Sequence, residues 1–274
     1  MKIAAYFIAF ARLAWLGLHF ARGLTIIAYQ RILRGHDWYY TPVGAAVIQK
    51  WMLQASHILA MDIETTGVVA SHATVLVANH ISWLDIVALS AFVPVTFVSK
   101  SDLESWPIIS TLSKSTGTVF IKRGSLQAMH QTLSRLTEVI KHDRSTVFFP
   151  EGTTTIGVGV NKFHSGLFEV AHRSGCFLQP VAISYFRQGK QDLEIAPYVD
   201  DDHFLKHLWR LFMHGGTQIQ LDFLDEIKTE GFTRQQLAEI TNQRITEMVN
   251  FSVMIYQDYP PPSLDPAWCQ YDSI

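Results

Sequence analysis

Asn79-His80-Ile81-Ser82-Trp83-Leu84-Asp85 follows directly on the strand-like run Thr74-Val75-Leu76-Val77-Ala78 and sets a carboxylate five positions after an imidazole. On one continuous helix that spacing turns through about 140°, so the two side chains would not share a face. They meet if His80 stays on the loop and a helix starts just beyond it. Ser82 and Asp85 supply such a start, as a Ser-x-x-Asp cap with an acid in the first turn. A carboxylate on one ring nitrogen fixes the tautomer and raises the basicity of the other. The chemistry on offer is a general base without a nucleophile beside it. No Gly-x-Ser-x-Gly is present, which argues against a serine hydrolase. A plainer reading has His80 capping the helix and Asp85 serving only as its first-turn acid.

Three further stretches carry polar groups at strand ends. Gly117-Thr118-Val119-Phe120-Ile121-Lys122-Arg123-Gly124-Ser125 closes a strand with two cations at a helix start, where a planar guanidinium and backbone N–H groups suit a phosphate. The same pair also fits a solvated strand end. Phe148-Phe149-Pro150-Glu151-Gly152-Thr153-Thr154-Thr155 sets one carboxylate after a buried strand, followed by glycine and three hydroxyls. Glu151 there suits orienting a polyol or a cationic side chain, or acting as a plain turn acid. Leu178-Gln179-Pro180-Val181-Ala182-Ile183 is an apolar strand broken by proline, which predicts a sheet edge or a site wall.

The elements that must position these groups alternate. Thr74–Ala78, Val95–Ser99, Thr118–Ile121, Thr146–Phe149, Leu178–Tyr185 and Gln218–Leu224 read as strands. Leu126, Met129, Leu133, Leu136 and Ile140 mark one helix behind a Ser125 cap. A second opens on the Thr233/Gln236 capping box and runs to about Tyr256. The pattern predicts an α/β fold, a single catalytic domain with a central mixed sheet flanked by helices. We divide the chain into a membrane-associating helical segment (1–60), the catalytic domain (61–259) and a C-terminal tail (260–274) that begins at Pro260-Pro261-Pro262.

Only 17% of the 274 residues are charged and 48% are hydrophobic, which excludes disorder and leaves apolar surface to be placed beyond an ordinary core. Cys176 and Cys269 form neither a disulfide framework nor a metal cluster, and favour a reduced compartment. Residues 1–190 carry a net charge of +7 and residues 191–274 a net −9. No acid precedes Asp37, whereas Lys2, Arg12, Arg22, Arg31 and Arg34 do, so the leading segment suits an anionic membrane surface and nucleic acid is a poor partner. Residues 3–33 read as one helix, too often interrupted by arginine for a simple span. Arg12, His19, Gln30 and Arg34 fall within about 60° of one another. That pattern predicts an N-terminal apolar amphipathic anchor lying in the interface, its polar stripe toward headgroups and water. A second apolar stretch, about 42–60, suits a hairpin with it.

The order Asn-His-x-Ser-x-x-Asp, Gly-x-x-Phe-Ile-x-Arg, Phe-Pro-Glu-Gly-Thr and Pro-Val, over about residues 73–185, resembles the glycerolipid acyltransferases. More narrowly it is similar to the bacterial 1-acylglycerol-3-phosphate acyltransferases. The resemblance implies that His80 takes the proton from the free hydroxyl of a lysolipid and that Asp85 orients it and stabilises its charge. The hydroxyl would then attack an acyl thioester, from acyl-CoA or acyl carrier protein, with no acyl-enzyme formed. Arg123 with Lys122 would hold the acceptor's phosphate, and Glu151, Gly152 and Thr153 would shape the acceptor site. The acceptor so implied is 1-acylglycerol-3-phosphate, giving phosphatidate, at the cytoplasmic face of a bacterial inner membrane. No metal and no cofactor are expected.

One block departs from the family. Its third motif often continues Gly-Thr-Arg-Ser, whereas this chain has Gly152-Thr153-Thr154-Thr155 and so lacks a cation. A lysolipid without a phosphate monoester, such as lyso-ornithine lipid or a lysophospholipid, becomes an alternative acceptor. A metal-dependent hydrolase is disfavoured, since His57, His72 and His80 lack ligand spacing. A non-catalytic lipid-binding protein would need no intact His80/Asp85 pair. His164 and Ser165 lie near the third block and suit the wall of the acceptor site.

Overall fold

The computed structural model describes residues 2–100, 107–121 and 126–258. Lys122, Arg123 and the tail from 259 lie outside the described residues. The chain begins with α1 (Lys2–Arg34) and α2 (Pro42–Ile58), then β1 (Met61–Gly67), β2 (Val75–Ala78), α3 (Leu84–Phe92) and β3 (Val95–Lys100). It continues through α4 (Pro107–Ser115), β4 (Val119–Ile121), α5 (Leu126–Lys141), β5 (Ser145–Phe148) and α6 (Glu169–Ser174). The last elements are β6 (Leu178–Arg187), β7 (Lys190–Gln191), α7 (Phe204–Met213), β8 (Thr217–Phe223) and α8 (Arg234–Asp258).

The strands form one sheet in the order β1-β8-β6-β2-β5-β3-β4, with β7 on β6. β6, β2, β5, β3 and β4 run parallel, and β8 and β1 run against them, so the sheet is mixed. β2 is buried at all four positions because both faces are covered. Leu76 and Ala78 pack with α1, α2, α3 and α7, whereas Val75 and Val77 pack with α5, α6 and α8. On β6 the same alternation sends Val181, Ile183 and Tyr185 to the α3 and α7 side. The Thr233/Gln236 capping box forms as expected, with the Gln236 N–H donating to Thr233 Oγ1 and the Thr233 N–H to Gln236 Oε1.

Three expectations need correction. β1 escaped the sequence reading; it pairs with β8, half-exposed, at one end of the sheet. Pro180 lies on an interior strand, between β2 and β8, rather than at an edge. It is tolerated where the β6–β8 ladder ends. The Leu224 N–H donates to the Pro180 carbonyl, and the Leu224 carbonyl, which has no proline N–H to accept, accepts from Gln179 Nε2.

The third correction concerns α1, whose polar stripe faces inward at Arg12, His19 and Gln30 and leaves Arg34 exposed. His19 is 4% exposed, stacks on Trp51 and bonds the Trp51 carbonyl through Nε2 at 3.1 Å. Arg12 donates to the Ile58 carbonyl, and buried Gln30 accepts from Arg34. Ile3, Phe7, Phe10, Leu18 and Ile32 are left exposed along the outside. Satisfying polar groups against α2 while turning apolar ones outward suits a surface that meets hydrocarbon. Residues 3–34 have a mean hydropathy of 1.5 over the best window, long and apolar enough to cross a membrane by length and composition. The helix is a candidate membrane anchor. Its hairpin with α2 is close. A Cβ on Gly23 would lie 2.8 Å from the Trp51 ring, so only glycine fits that crossing.

Candidate active site

The five parallel strands end on one side of the sheet, and the loops after β2 and β5 meet there. Asn79 leaves β2 and is tied sideways to β6. Its Nδ2 donates to the Ile183 carbonyl at 2.9 Å and its Oδ1 accepts the Ile183 N–H at 2.8 Å. The paired bonds fix the chain just before His80.

His80 Nδ1 lies 2.7 Å from Asp85 Oδ2. An ionised carboxylate only accepts, so Nδ1 carries the proton and Nε2 the lone pair. The imidazole stacks on Phe149, with ring centres 4.0 Å apart and planes 11° from parallel. Its side chain keeps 19% of its surface exposed, and among the described residues none hydrogen-bonds Nε2. A general base with this geometry receives its proton from the open side.

Asp85 is fully buried in the first turn of α3. Its Oδ2 also accepts the backbone N–H of Ile81 at 2.8 Å and of Ser82 at 3.1 Å, and its Oδ1 accepts the Tyr185 hydroxyl at 2.6 Å. Four donors and a helix N-terminus replace the water a buried carboxylate loses. Ser82 does not cap as expected. The helix opens at Leu84 with Trp83 in the cap position, and the Ser82 hydroxyl is buried with no hydrogen-bond partner. Asp85 itself satisfies the loop N–H groups instead. One side chain thus orders both the loop and the imidazole.

Glu151 is 5% exposed, and each of its oxygens accepts a backbone N–H. Oε1 accepts the His80 N–H at 2.7 Å and Oε2 the Asn161 N–H at 2.9 Å. Burial pushes its carboxyl above the usual range, and the two N–H donors oppose that rise. The geometry makes it a staple between two loops. Gly152 follows at φ +72°, a left-handed turn suited to glycine. Thr153 is exposed, and the Thr155 N–H donates to the His80 carbonyl at 2.9 Å. His164 is exposed, and its N–H donates to the Pro150 carbonyl. β4, which leads toward Lys122 and Arg123, lies three strands from β2, about 14 Å at ordinary strand spacing.

Tyr185 and His207 escaped the sequence reading. His207 on α7 is fully buried; Nδ1 accepts the Trp83 indole N–H at 3.0 Å, and Nε2 faces the Ala196 carbonyl at 3.1 Å. Burial holds its pKa below the ordinary histidine value. Both partners lie more than 90 residues from the loop they brace, beyond the reach of local pattern. Among the described residues no group of three or more His, Cys, Asp or Glu is arranged to hold a metal.

A family model described as Acyltransferase matches residues 60–184. The chain is 36% identical over 228 residues to the lyso-ornithine lipid O-acyltransferase of Pseudomonas aeruginosa, covering 82% of this chain and 87% of that protein. It is 33% identical to the protein of the same name in Rhodobacter capsulatus, covering 73% and 71% of the two chains. The 1-acyl-sn-glycerol-3-phosphate acyltransferase of Neisseria gonorrhoeae is 32% identical, over 54% of this chain and 57% of that one. Among solved structures, the 1-acyl-sn-glycerophosphate acyltransferase PlsC of Thermotoga maritima shares the fold, with a TM-score of 0.69 and 18% identity over 92% of this chain and 97% of that one.

Proposed function

The chain belongs to the acyltransferase family, and from that premise we propose that it moves a fatty acyl group from an acyl thioester to the free hydroxyl of lyso-ornithine lipid, with His80 as general base. The observation that carries the chemistry is the 2.7 Å contact between His80 Nδ1 and buried Asp85, which leaves Nε2 open. Nε2 takes the hydroxyl proton as the oxygen attacks the thioester carbonyl, and Asp85 offsets the charge on the imidazolium. Collapse of the tetrahedral intermediate breaks the carbon–sulfur bond, and the departing thiolate takes the proton back from Nε2. The acyl donor is acyl-CoA or acyl carrier protein, consumed as a substrate, so the reaction calls for no further cofactor.

Two observations support this acceptor over 1-acylglycerol-3-phosphate. The relatives named for lyso-ornithine lipid align over 65–82% of the chain, against 54% or less for those named for the glycerophosphate. Thr154 also stands where the family's third block often carries arginine, and an ornithine head presents a carboxylate and an ammonium rather than a phosphate monoester. On the sequence pattern, Arg123 and Lys122 take the acceptor's acidic group. Glu151, Gly152 and Thr153 form the wall beside it, with Glu151 acting through the backbone it holds. The enzyme works at the inner membrane on its cytoplasmic face, with α1 as its anchor.

The test is acyl transfer from a labelled thioester to lyso-ornithine lipid, lysophosphatidate and lysophospholipids in detergent, with His80→Ala in parallel. Product on lyso-ornithine lipid from wild type alone is expected. Preference for lysophosphatidate would return the acceptor to the glycerophosphate reading. No transfer to any acceptor from folded protein, with both donors tried, would favour a lipid-binding protein.

A further inference from the structure

Tyr185 sits on β6, between β2 and β8, opposite Ile219 in the antiparallel register. Its side chain is 1% exposed among Val181, Ile183 and the apolar residues of α3 and α7. At such a position phenylalanine would fill the same space without burying a hydroxyl. That hydroxyl donates to Asp85 Oδ1 at 2.6 Å, in the range of a charge-assisted O–H···O⁻ bond. Asp85 has no cationic partner among the described residues apart from His80. Its two oxygens are held from different sides, Oδ2 by His80 and the loop N–H groups, Oδ1 by the sheet.

We propose that Tyr185 is a positioning residue of the transfer reaction, anchoring Asp85 to the sheet so that its Oδ2 stays aimed at His80. The inference rests on His80 being the base. Without the hydroxyl, Oδ1 loses its donor, and rotation of the carboxylate about its Cβ–Cγ bond is held by the Oδ2 contacts alone. Burial and the neighbouring Asp85 charge keep the phenol protonated far above neutral pH, so the donor persists across the working range.

The experiment compares Tyr185→Phe with His80→Ala in steady-state kinetics and in the downfield imidazole N–H resonance that a His–Asp contact gives and His80→Ala removes. Tyr185→Phe should lower kcat by about ten- to a hundredfold, part of the 10²–10⁴ that a general base contributes, with little change in either KM. The resonance should shift or broaden, and in the His80→Ala background the substitution should have no further effect. A kcat within about twofold of wild type with the resonance unmoved would overturn the proposal, even if Tm fell, because that is the mark of a purely structural hydrogen bond. Retained activity in His80→Ala would instead sink the base assignment. If Tyr185→Phe does not fold, fluorotyrosine at 185 keeps the shape and changes the donor strength. An altered kcat and resonance then support the role, and unchanged ones refute it.

Discussion

Two histidines bear on the loop before α3, His80 within it and His207 against Trp83, and they are held in opposite ways. His207 is fully buried and both its nitrogens are engaged, Nδ1 by the Trp83 indole and Nε2 by the Ala196 carbonyl. His80 has one nitrogen on a carboxylate and the other facing the open side. The imidazole is the same; the partners differ. Two neutral partners turn the ring into a wedge that locks Trp83 in place. One carboxylate partner on Nδ1 leaves Nε2 open to a proton donor. A search for histidines by burial alone would choose His207, whose two nitrogens are both engaged.

The strongest way to break this contrast is to make His80 resemble His207. Asp85→Asn keeps the shape and removes the anion, and acyl transfer should fall by about 10²–10⁴-fold with the fold checked by circular dichroism. A loss under about tenfold would mean that the charge of the partner does not distinguish the two rings. His207→Leu should act on stability first. It leaves the Trp83 N–H and the Ala196 carbonyl unpaired in the interior, costing about 1–3 kcal/mol each at most, with acyl transfer reduced by less than about tenfold. A kcat loss equal to that of Asp85→Asn would place Trp83 within the chemistry and erase the distinction.

The smallest effect is a pH slope. Burial lowers the pKa of His207 in the folded chain. The unfolded chain therefore takes up this proton first as the pH falls below about 6.5, and stability drops with acidification from that point. The group contributes at most about 1.4 kcal/mol per pH unit. His207→Leu should flatten the fall in Tm between pH 6.5 and 5 relative to wild type. An unchanged slope would show that His207 titrates alike in both states.

The interior strands, α5 and α8 with its capping box were legible because each is written in a local pattern of apolar spacing and end residues. β1 was not, since a half-exposed strand following directly on an apolar helix gives little contrast. Spacing alone suggested that His80 and Asp85 meet. It did not reveal that Asp85 rather than Ser82 orders the loop, nor that Tyr185 and Glu151 hold the pair from 100 and 71 residues away. Those contacts come from sheet register, which no short window of sequence contains. The stripe on α1 was found at the right residues but assigned to the wrong side. Periodicity gives the angle of a face and says nothing about what it meets.

The inward stripe of α1 has a consequence for biogenesis. His19 finds its partner 32 residues later in the chain and Arg12 finds its own 46 residues later. As the nascent chain emerges, α1 therefore carries unmatched polar groups into any bilayer it reaches before α2 has been made. With α1 as the proposed anchor, stable insertion would wait for the hairpin, and the first two helices would enter the membrane together rather than in turn.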